Sequence, residues 1–197
     1  MQPRLGTLDV LLVRHAEATG PLEDDTRGLS DAGRVAAAEL ADELEPYHLS
    51  AIYSSPYTRA IQTVEPIARR RGLRILELVD MRERRLASGV VEDWRAELAR
   101  SYDDPDYAPS GGETGREAQR RAMATLDLLR VRHPDGGRVL VASHGNLISL
   151  VLRALEPDVG FDFHQAMPNP AIYHLEHDGI GWRVMGGHGF EEVAAKN

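Results

Sequence analysis

Leu8-Asp9-Val10-Leu11-Leu12-Val13-Arg14-His15-Ala16-Glu17 is the stretch on which the reading of this chain turns. Val10 to Val13 is an unbroken apolar run. A run this short, built of Val and Leu, suits a strand buried on both faces inside a parallel sheet. It stops abruptly at Arg14-His15, a cation beside an imidazole. In open α/β sheets ligands bind at the carboxyl ends of the strands. The first strand is therefore expected to deliver Arg14 and His15 to a site. A strand that simply runs out into solvent would look the same over these ten positions, so a second observation has to decide.

That observation lies far along the chain. Arg138-Val139-Leu140-Val141-Ala142-Ser143-His144-Gly145-Asn146 is another apolar strand ending in a His, and Leu147 to Leu152 continues as a helix. Two strand ends of this design can meet at one edge of one sheet. Gly145 lets backbone come close to a ligand, and a helix starting there turns its free N–H groups toward the site.

Between the two strands the chain alternates helix and strand. Ala18 to Gly28 is a polar loop containing Gly20, Pro21, Glu23, Asp24 and Asp25. Leu29-Ser30-Asp31 reads as a helix start, with Ser30 as cap and Asp31 at the positive end. Ala32, Ala36, Leu40 and Leu44 give that helix an apolar face, and Pro46 ends it. Ser50 to Ser54 is a second strand, and Ser55-Pro56 is expected to open the next helix. Arg59 falls in that helix's first turn, where the macrodipole disfavours a cation. An anionic ligand would explain it.

Pro66 is expected to kink or split the same helix. Arg69-Arg70-Arg71-Gly72 reads as its solvated C-terminal end. Leu73 to Val79 is a third strand, followed by the charged loop Asp80 to Gly89. Val91 to Tyr102 is a helix with Trp94 and Leu98 on one side. Thr114 caps a long helix to about Arg132, with Ala118, Ala122, Leu126 and Leu129 as its buried stripe. Pro157 to Pro170 reads as irregular. Ala171 to Leu175 and Trp182 to Met185 are two strands joined at His177-Asp178-Gly179.

The chain has 197 residues, so one domain over residues 1–197 is the expectation. Hydrophobic residues at 42% and charged residues at 27% describe an ordinary globular protein. A net charge of −8 argues against a nucleic-acid partner but leaves room for a small anionic substrate held by a local arginine cluster. The absence of cysteine excludes disulfides and thiolate chemistry. No apolar run is long enough to span a membrane, and Met1 to Gly6 lacks a signal-peptide core. A cytoplasmic enzyme without a membrane partner is the simplest class. The oligomeric state is not readable, and a dimer is compatible with the sequence.

Arg14, His15, Arg59 and His144 need one explanation, and phosphoryl transfer supplies it. An imidazole nitrogen is a nucleophile for phosphorus near neutral pH. Two guanidiniums can hold the phosphoryl oxygens by paired bonds. A second His can donate to another oxygen. Glu83, in the charged loop, is a candidate acid for the leaving oxygen, and Glu77, Asp80 and Glu92 lie near it in sequence.

These residues sit in blocks that resemble the histidine phosphatase superfamily, the phosphoglycerate mutase-like proteins. Arg14-His15-Ala16-Glu17 resembles the Arg-His-Gly signature with Ala in place of Gly. Leu29-Ser30-Asp31-Ala32-Gly33 resembles the Leu-Thr-x-x-Gly helix start. Ser54-Ser55-Pro56-Tyr57-Thr58-Arg59-Ala60-Ile61-Gln62-Thr63 is similar to Ser-Ser-Pro-x-x-Arg-Ala-x-x-Thr. Arg82-Glu83, Gly112-Glu113-Thr114 and Ser143-His144-Gly145 follow in family order.

The resemblance implies a three-layer α/β/α sandwich, with a mixed, mostly parallel sheet and helices on both faces. It implies His15 as the phosphorylated nucleophile, Arg14, Arg59 and His144 as the phosphate pocket, and Glu83 as proton donor. It implies no cofactor. Gly145 and Asn169 are further candidates for contact with a small phosphorylated substrate.

Departures favour a phosphatase over a cofactor-dependent mutase. Family mutases follow the acid with Arg-His-Tyr-Gly, where this chain has Arg84-Arg85-Leu86-Ala87. They carry Ser or Thr and then Asn after the first His, where this chain has Ala18 and Pro21. A metal enzyme fits poorly, because no His-Glu-x-x-His pair is present and arginines beside the histidines repel a cation. A silent phospho-ligand binding module should lack the nucleophile or the acid. A serine hydrolase would need a Gly-x-Ser-x-Gly elbow. His48, His133, His164, His174, His177 and His188 are read as structural or surface residues. Specificity is assigned to Ala18–Arg27, Arg84–Pro109 and Pro157–Asn169 without naming a substrate.

Overall fold

The computed structural model describes residues 6–20, 25–89 and 91–190. The opening apolar run is strand β1, Leu8–Arg14. Its residues divide between two cores. Leu8, Val10 and Leu12 enter one, and Leu11 and Val13 the other, none more than 4% exposed. Burial on both sides is why the run lacks the alternation of a half-solvated strand.

In chain order there follow α1 (Asp31–Glu43), β2 (Ala51–Ser54), α2 (Thr58–Arg71), β3 (Ile75–Glu77), α3 (Trp94–Asp103) and α4 (Gly115–Arg132). Then come β4 (Gly137–Ser143), α5 (Gly145–Leu155), α6 (Phe161–Ala166), β5 (Ala171–His177) and β6 (Trp182–Gly187). The strands form one sheet in the order β3-β2-β4-β1-β5-β6. The first four are mutually parallel, whereas β5 runs antiparallel to β1 and β6 antiparallel to β5. α1 and α2 cover the Leu11/Val13 face through Leu40, Leu44, Val64 and Ile67. α4 and α5 cover the other through Ala122, Leu126, Leu147 and Val151. This is the expected three-layer α/β/α sandwich with a mixed, mostly parallel sheet.

Several local expectations need correction. The buried face of α1 is Gly33, Ala37, Leu40 and Ala41; Ala36 packs half-buried beside Ala37, and Ala32 is exposed. The helix is turned because Gly33 packs on the backbone of Glu17, three residues past the end of β1. A Cβ there would stand 2.0 Å from the Glu17 carbonyl oxygen. The Ser30 cap is as expected, its hydroxyl accepting from the Gly33 N–H at 2.9 Å.

α2 starts at Thr58, after Ser55-Pro56 rather than with it. Ser55 is still tied to the sheet through its N–H to the Ala142 carbonyl, 2.8 Å. Pro66 neither splits nor ends α2. Its neighbours Val64, Ile67 and Ala68 are anchored in the core, while Pro66 itself is only half-buried. The bond that proline forfeits is outweighed by that packing.

β3 keeps only three of the seven residues assigned to it, and Val79–Met81 is a 3₁₀ turn. Its sole partner, β2, is itself four residues long. α3 begins at Trp94 because Asp93 caps it, accepting from the Ala96 N–H at 2.9 Å. Trp94 is then half exposed and Leu98 alone of that pair is buried. The segment read as irregular after Pro157 holds the short helix α6, too brief to show periodicity. The Thr114 cap is present as a full capping box with Glu117, and the α4 stripe is buried as expected.

Candidate active site

β1 and β4 lie side by side in register, Arg14 opposite Ser143. The next residue of each strand is therefore a histidine at the same edge. The His15 N–H bonds the Ser143 carbonyl at 3.0 Å, and the two imidazole centroids are 5.2 Å apart. β2 ends one strand further over, which places Ser55 beside His144.

The His15 ring is almost fully buried. Its Nδ1 lies 2.7 Å from the Ala16 carbonyl oxygen, which can only accept, so Nδ1 carries a proton. Burial pushes the ring's pKa down from 6.5 to about 3. The Ala16 carbonyl opposes that shift, and Arg59, Arg14 and Arg27 reinforce it. At neutral pH the ring is thus uncharged and Nε2 is a bare lone pair. The Nε–H of Arg59, itself 3% exposed, donates to it at 3.2 Å. Thr63 fixes this pair: its hydroxyl donates to the Arg59 carbonyl at 2.7 Å and accepts from the Ala16 N–H at 3.0 Å.

His144 is wholly buried and forms the N-cap of α5. Its Nε2 is 2.7 Å from the Ser55 hydroxyl, and its Nδ1 has no hydrogen-bond partner among the described residues. Burial holds its pKa well below the usual value, with His15, Arg59 and Arg27 adding to the effect. The ring of Tyr57 stands at 4.9 Å.

Arg14 donates through Nη1 to the Met167 carbonyl, while its Nε is buried without a partner. It lies flat against Gly145, where a Cβ would come within 2.9 Å of that Nε. The glycine thus makes room for the guanidinium. Burial lowers the pKa of Arg14 and Arg59 from the usual range, and Glu83 opposes the shift at both.

Glu83 reaches the same region from the opposite side. Its carboxylate accepts from the N–H groups of Arg84 at 2.8 Å, Leu147 at 2.9 Å and Asn146 at 3.1 Å, the last two at the start of α5. The competing carboxylates Glu77, Asp80 and Glu92 are exposed, and Asp80 is paired with Arg82. The loop carrying Glu83 is held by two arginines. Buried Arg84 donates to the Glu113 carbonyl and the Ser101 hydroxyl, each at 2.7 Å. Arg121 grips the Glu113 carboxylate at 2.6 and 2.8 Å and the Arg82 carbonyl at 2.9 Å.

Arg14, His15, Arg59, His144, Gly145 and Glu83 therefore come together. Asn169 does not: it is exposed and makes no side-chain hydrogen bond to the cluster. Its neighbour Met167 makes the contact instead, through a backbone atom that no side-chain pattern announces. Pro21 lies outside the described residues.

Residue-by-residue reading missed Arg27, whose charge bears on both histidines and whose Nε is buried unpaired. It also missed His164. That ring sits 5.9 Å from Tyr102, its Nδ1 buried without a partner, and it feels both Glu83 and Arg14. It is a site neighbour rather than a purely structural or surface residue. Ser55, Tyr57 and Thr63 were visible only as members of a matching block.

The model of the histidine phosphatase superfamily (branch 1) matches residues 10–186. Phosphoglycerate mutase-like protein 4 of Arabidopsis thaliana is 30% identical over 166 residues, 76% of this chain and 71% of that protein. Phosphoserine phosphatase 1 of Hydrogenobacter thermophilus is 33% identical over 151 residues, 68% of this chain and 70% of that protein. Mycobacterial glucosyl-3-phosphoglycerate phosphatase, solved with inorganic phosphate, superposes with a TM-score of 0.72 at 25% identity. That superposition covers 92% of this chain and 95% of the other. With the paired strand ends and their two histidines, these matches establish that the chain belongs to the histidine phosphatase superfamily.

Proposed function

We propose that the chain, as one domain, hydrolyses a small phosphomonoester through a covalent phosphohistidine at His15. The observation that carries this reading is the bare Nε2 of a neutral His15, held against the Arg59 guanidinium. The lone pair attacks phosphorus and the bond to the leaving oxygen breaks. Glu83 gives that oxygen a proton. Water then attacks the phosphohistidine, gives a proton back to Glu83, and phosphate leaves with Nε2 restored. Arg14, Arg59 and the Nδ1 of His144 hold the phosphoryl oxygens, so the positive charge comes from the protein and no metal is required. Relatives named as phosphatases support hydrolysis.

Rapid quench with labelled substrate tests the reading. Acid-labile phosphate should be trapped on the wild type and none on His15→Ala. Label that is acid-stable, or that survives in the variant, overturns the assignment. Relatives named as mutase-like keep isomerisation as the alternative. Ala18 and Leu86 argue for hydrolysis. With 3-phosphoglycerate and catalytic 2,3-bisphosphoglycerate, phosphate release should outrun formation of 2-phosphoglycerate.

A further inference from the structure

We infer that Ser55 is a positioning residue that fixes the tautomer of His144, placing the ring proton on Nδ1. The inference follows from counting donors and acceptors around one buried hydroxyl.

Ser55 is fully buried. Among the described residues its Oγ has two partners, the Tyr57 backbone N–H at 3.3 Å and His144 Nε2 at 2.7 Å. The Tyr57 amide can only donate, so it occupies a lone pair of the hydroxyl. The remaining question is which way the Ser55–His144 bond runs.

If Nε2–H donated, Oγ would accept twice and the hydroxyl hydrogen would have no acceptor among the described residues. Nδ1 would then also be a bare, buried and unpartnered acceptor. Two buried polar groups would go unsatisfied, an arrangement native interiors avoid. If Ser55 donates to Nε2, the hydroxyl is satisfied and only Nδ1–H is left over. That remaining donor is the group a phosphoryl oxygen can take.

The position of Ser55 makes the arrangement durable. Its backbone N–H is tied to the Ala142 carbonyl at 2.8 Å, two residues before His144. The hydroxyl and the imidazole are thereby carried by adjacent strands of one sheet. The surrounding charge acts in the same direction. Arg59 and Arg27 disfavour a cationic ring, so His144 must donate as a neutral imidazole, and only the right tautomer can do so. His15 shows the same device by another route, its Nδ1–H held by a backbone carbonyl that accepts from it and its Nε2 left unprotonated. The two rings thus share a tautomer and present opposite faces of its chemistry: His15 offers a lone pair, His144 offers a proton.

What Nδ1–H is for rests on the phosphatase reading; the tautomer does not. Long-range ¹H–¹⁵N correlation spectra of the labelled wild-type protein at neutral pH read it directly. His144 should show a protonated Nδ1 and an acceptor-type Nε2. A protonated Nε2 in the wild type overturns the inference, with no variant needed. Orthovanadate should then shift the Nδ1 signal. A correct tautomer with no response to vanadate refutes the phosphatase reading and leaves the Ser55 assignment standing.

Ser55→Ala should move the ring toward the Nε2–H form and lower kcat/KM and vanadate affinity by roughly 10-fold or more. Ser55→Thr, which keeps the hydroxyl, should restore both. An unchanged His144 tautomer in a folded Ser55→Ala protein overturns the role given to Ser55.

Discussion

His15 hangs from the end of a strand paired on both sides, whereas Glu83 hangs from a loop that side chains hold in place. β1 is hydrogen-bonded to β4 on one edge and β5 on the other along its whole length. The direction of His15 therefore follows from the sheet. Among the described residues the Glu83 loop joins no strand, and its course is fixed by its own Arg84 reaching out to Glu113 and Ser101 and by Arg121 reaching in from α4 to the Arg82 carbonyl. The His15 half of the site is built by main-chain register. The Glu83 half is built by side-chain hydrogen bonds and one partly buried ion pair, which can be re-aimed without disturbing the sheet.

The sharpest way to break that contrast is to remove the His15 imidazole. His15→Ala should lower turnover by about 10⁶-fold, the scale seen when a covalent nucleophile is deleted. A small loss would mean that the sheet edge binds phosphate and that another group attacks.

Next in size is Glu83→Gln. General-acid help is worth ~10²–10⁴-fold, so an alkyl phosphate should lose on that order. p-Nitrophenyl phosphate, whose phenolate departs unaided, should lose far less. Equal losses would make Glu83 a binding group and erase the distinction between the two halves. Arg59→Lys should cost about 10²-fold on both substrates, because Lys cannot reproduce the planar fork. A loss confined to alkyl phosphates would place Arg59 with the leaving group instead.

Arg121→Met sharpens the comparison. It leaves the partly buried Glu113 carboxylate unpaired, at a cost of about 2 kcal/mol in stability, measurable by urea unfolding. It should also loosen the Glu83 loop. Activity should fall about 10-fold on alkyl phosphates and little on p-nitrophenyl phosphate, a weaker copy of Glu83→Gln.

The effect of pH on stability builds up most gradually, unit by unit. The folded His15 pKa is about 3 against 6.5 unfolded. Between those values the unfolded chain binds more protons, so stability is full above pH 6.5 and falls as pH drops toward 3. Each such histidine contributes a slope of up to about 1.4 kcal/mol per pH unit. His15→Asn should flatten the slope over that window, and an unchanged slope would mean the ring is not held neutral.

The same contrast explains what could be read beforehand. Val10–Val13 and Val139–Ala142 announce buried strands because both faces of each are covered. The residues just beyond them had to share an edge once the strands were parallel. Arg59 was legible because a cation at a helix start demands a reason. Glu83 was legible only through the matching block, and the arginines that hold it were not, since they act across 29 to 39 residues of chain. Arg27 and His164 sit in a loop and a six-residue helix, where no periodicity marks a buried side chain. Met167 contributes a carbonyl, which every residue has.

The pairing of β1 also bears on how the chain comes off the ribosome. β1 is made first, yet its partners begin at Gly137 and Ala171. At about 5–20 residues per second, the strand that carries His15 waits on the order of ten seconds, apolar and unpaired, for both edges to be covered. α1 and α2, by contrast, can meet within a fraction of that time. The molecule's most productive strand is thus the one most exposed to misassociation during synthesis. Contacts of such long sequence separation also make a slow closing step. A chain halted before Ala171 would keep both histidines and still leave one edge of β1 bare.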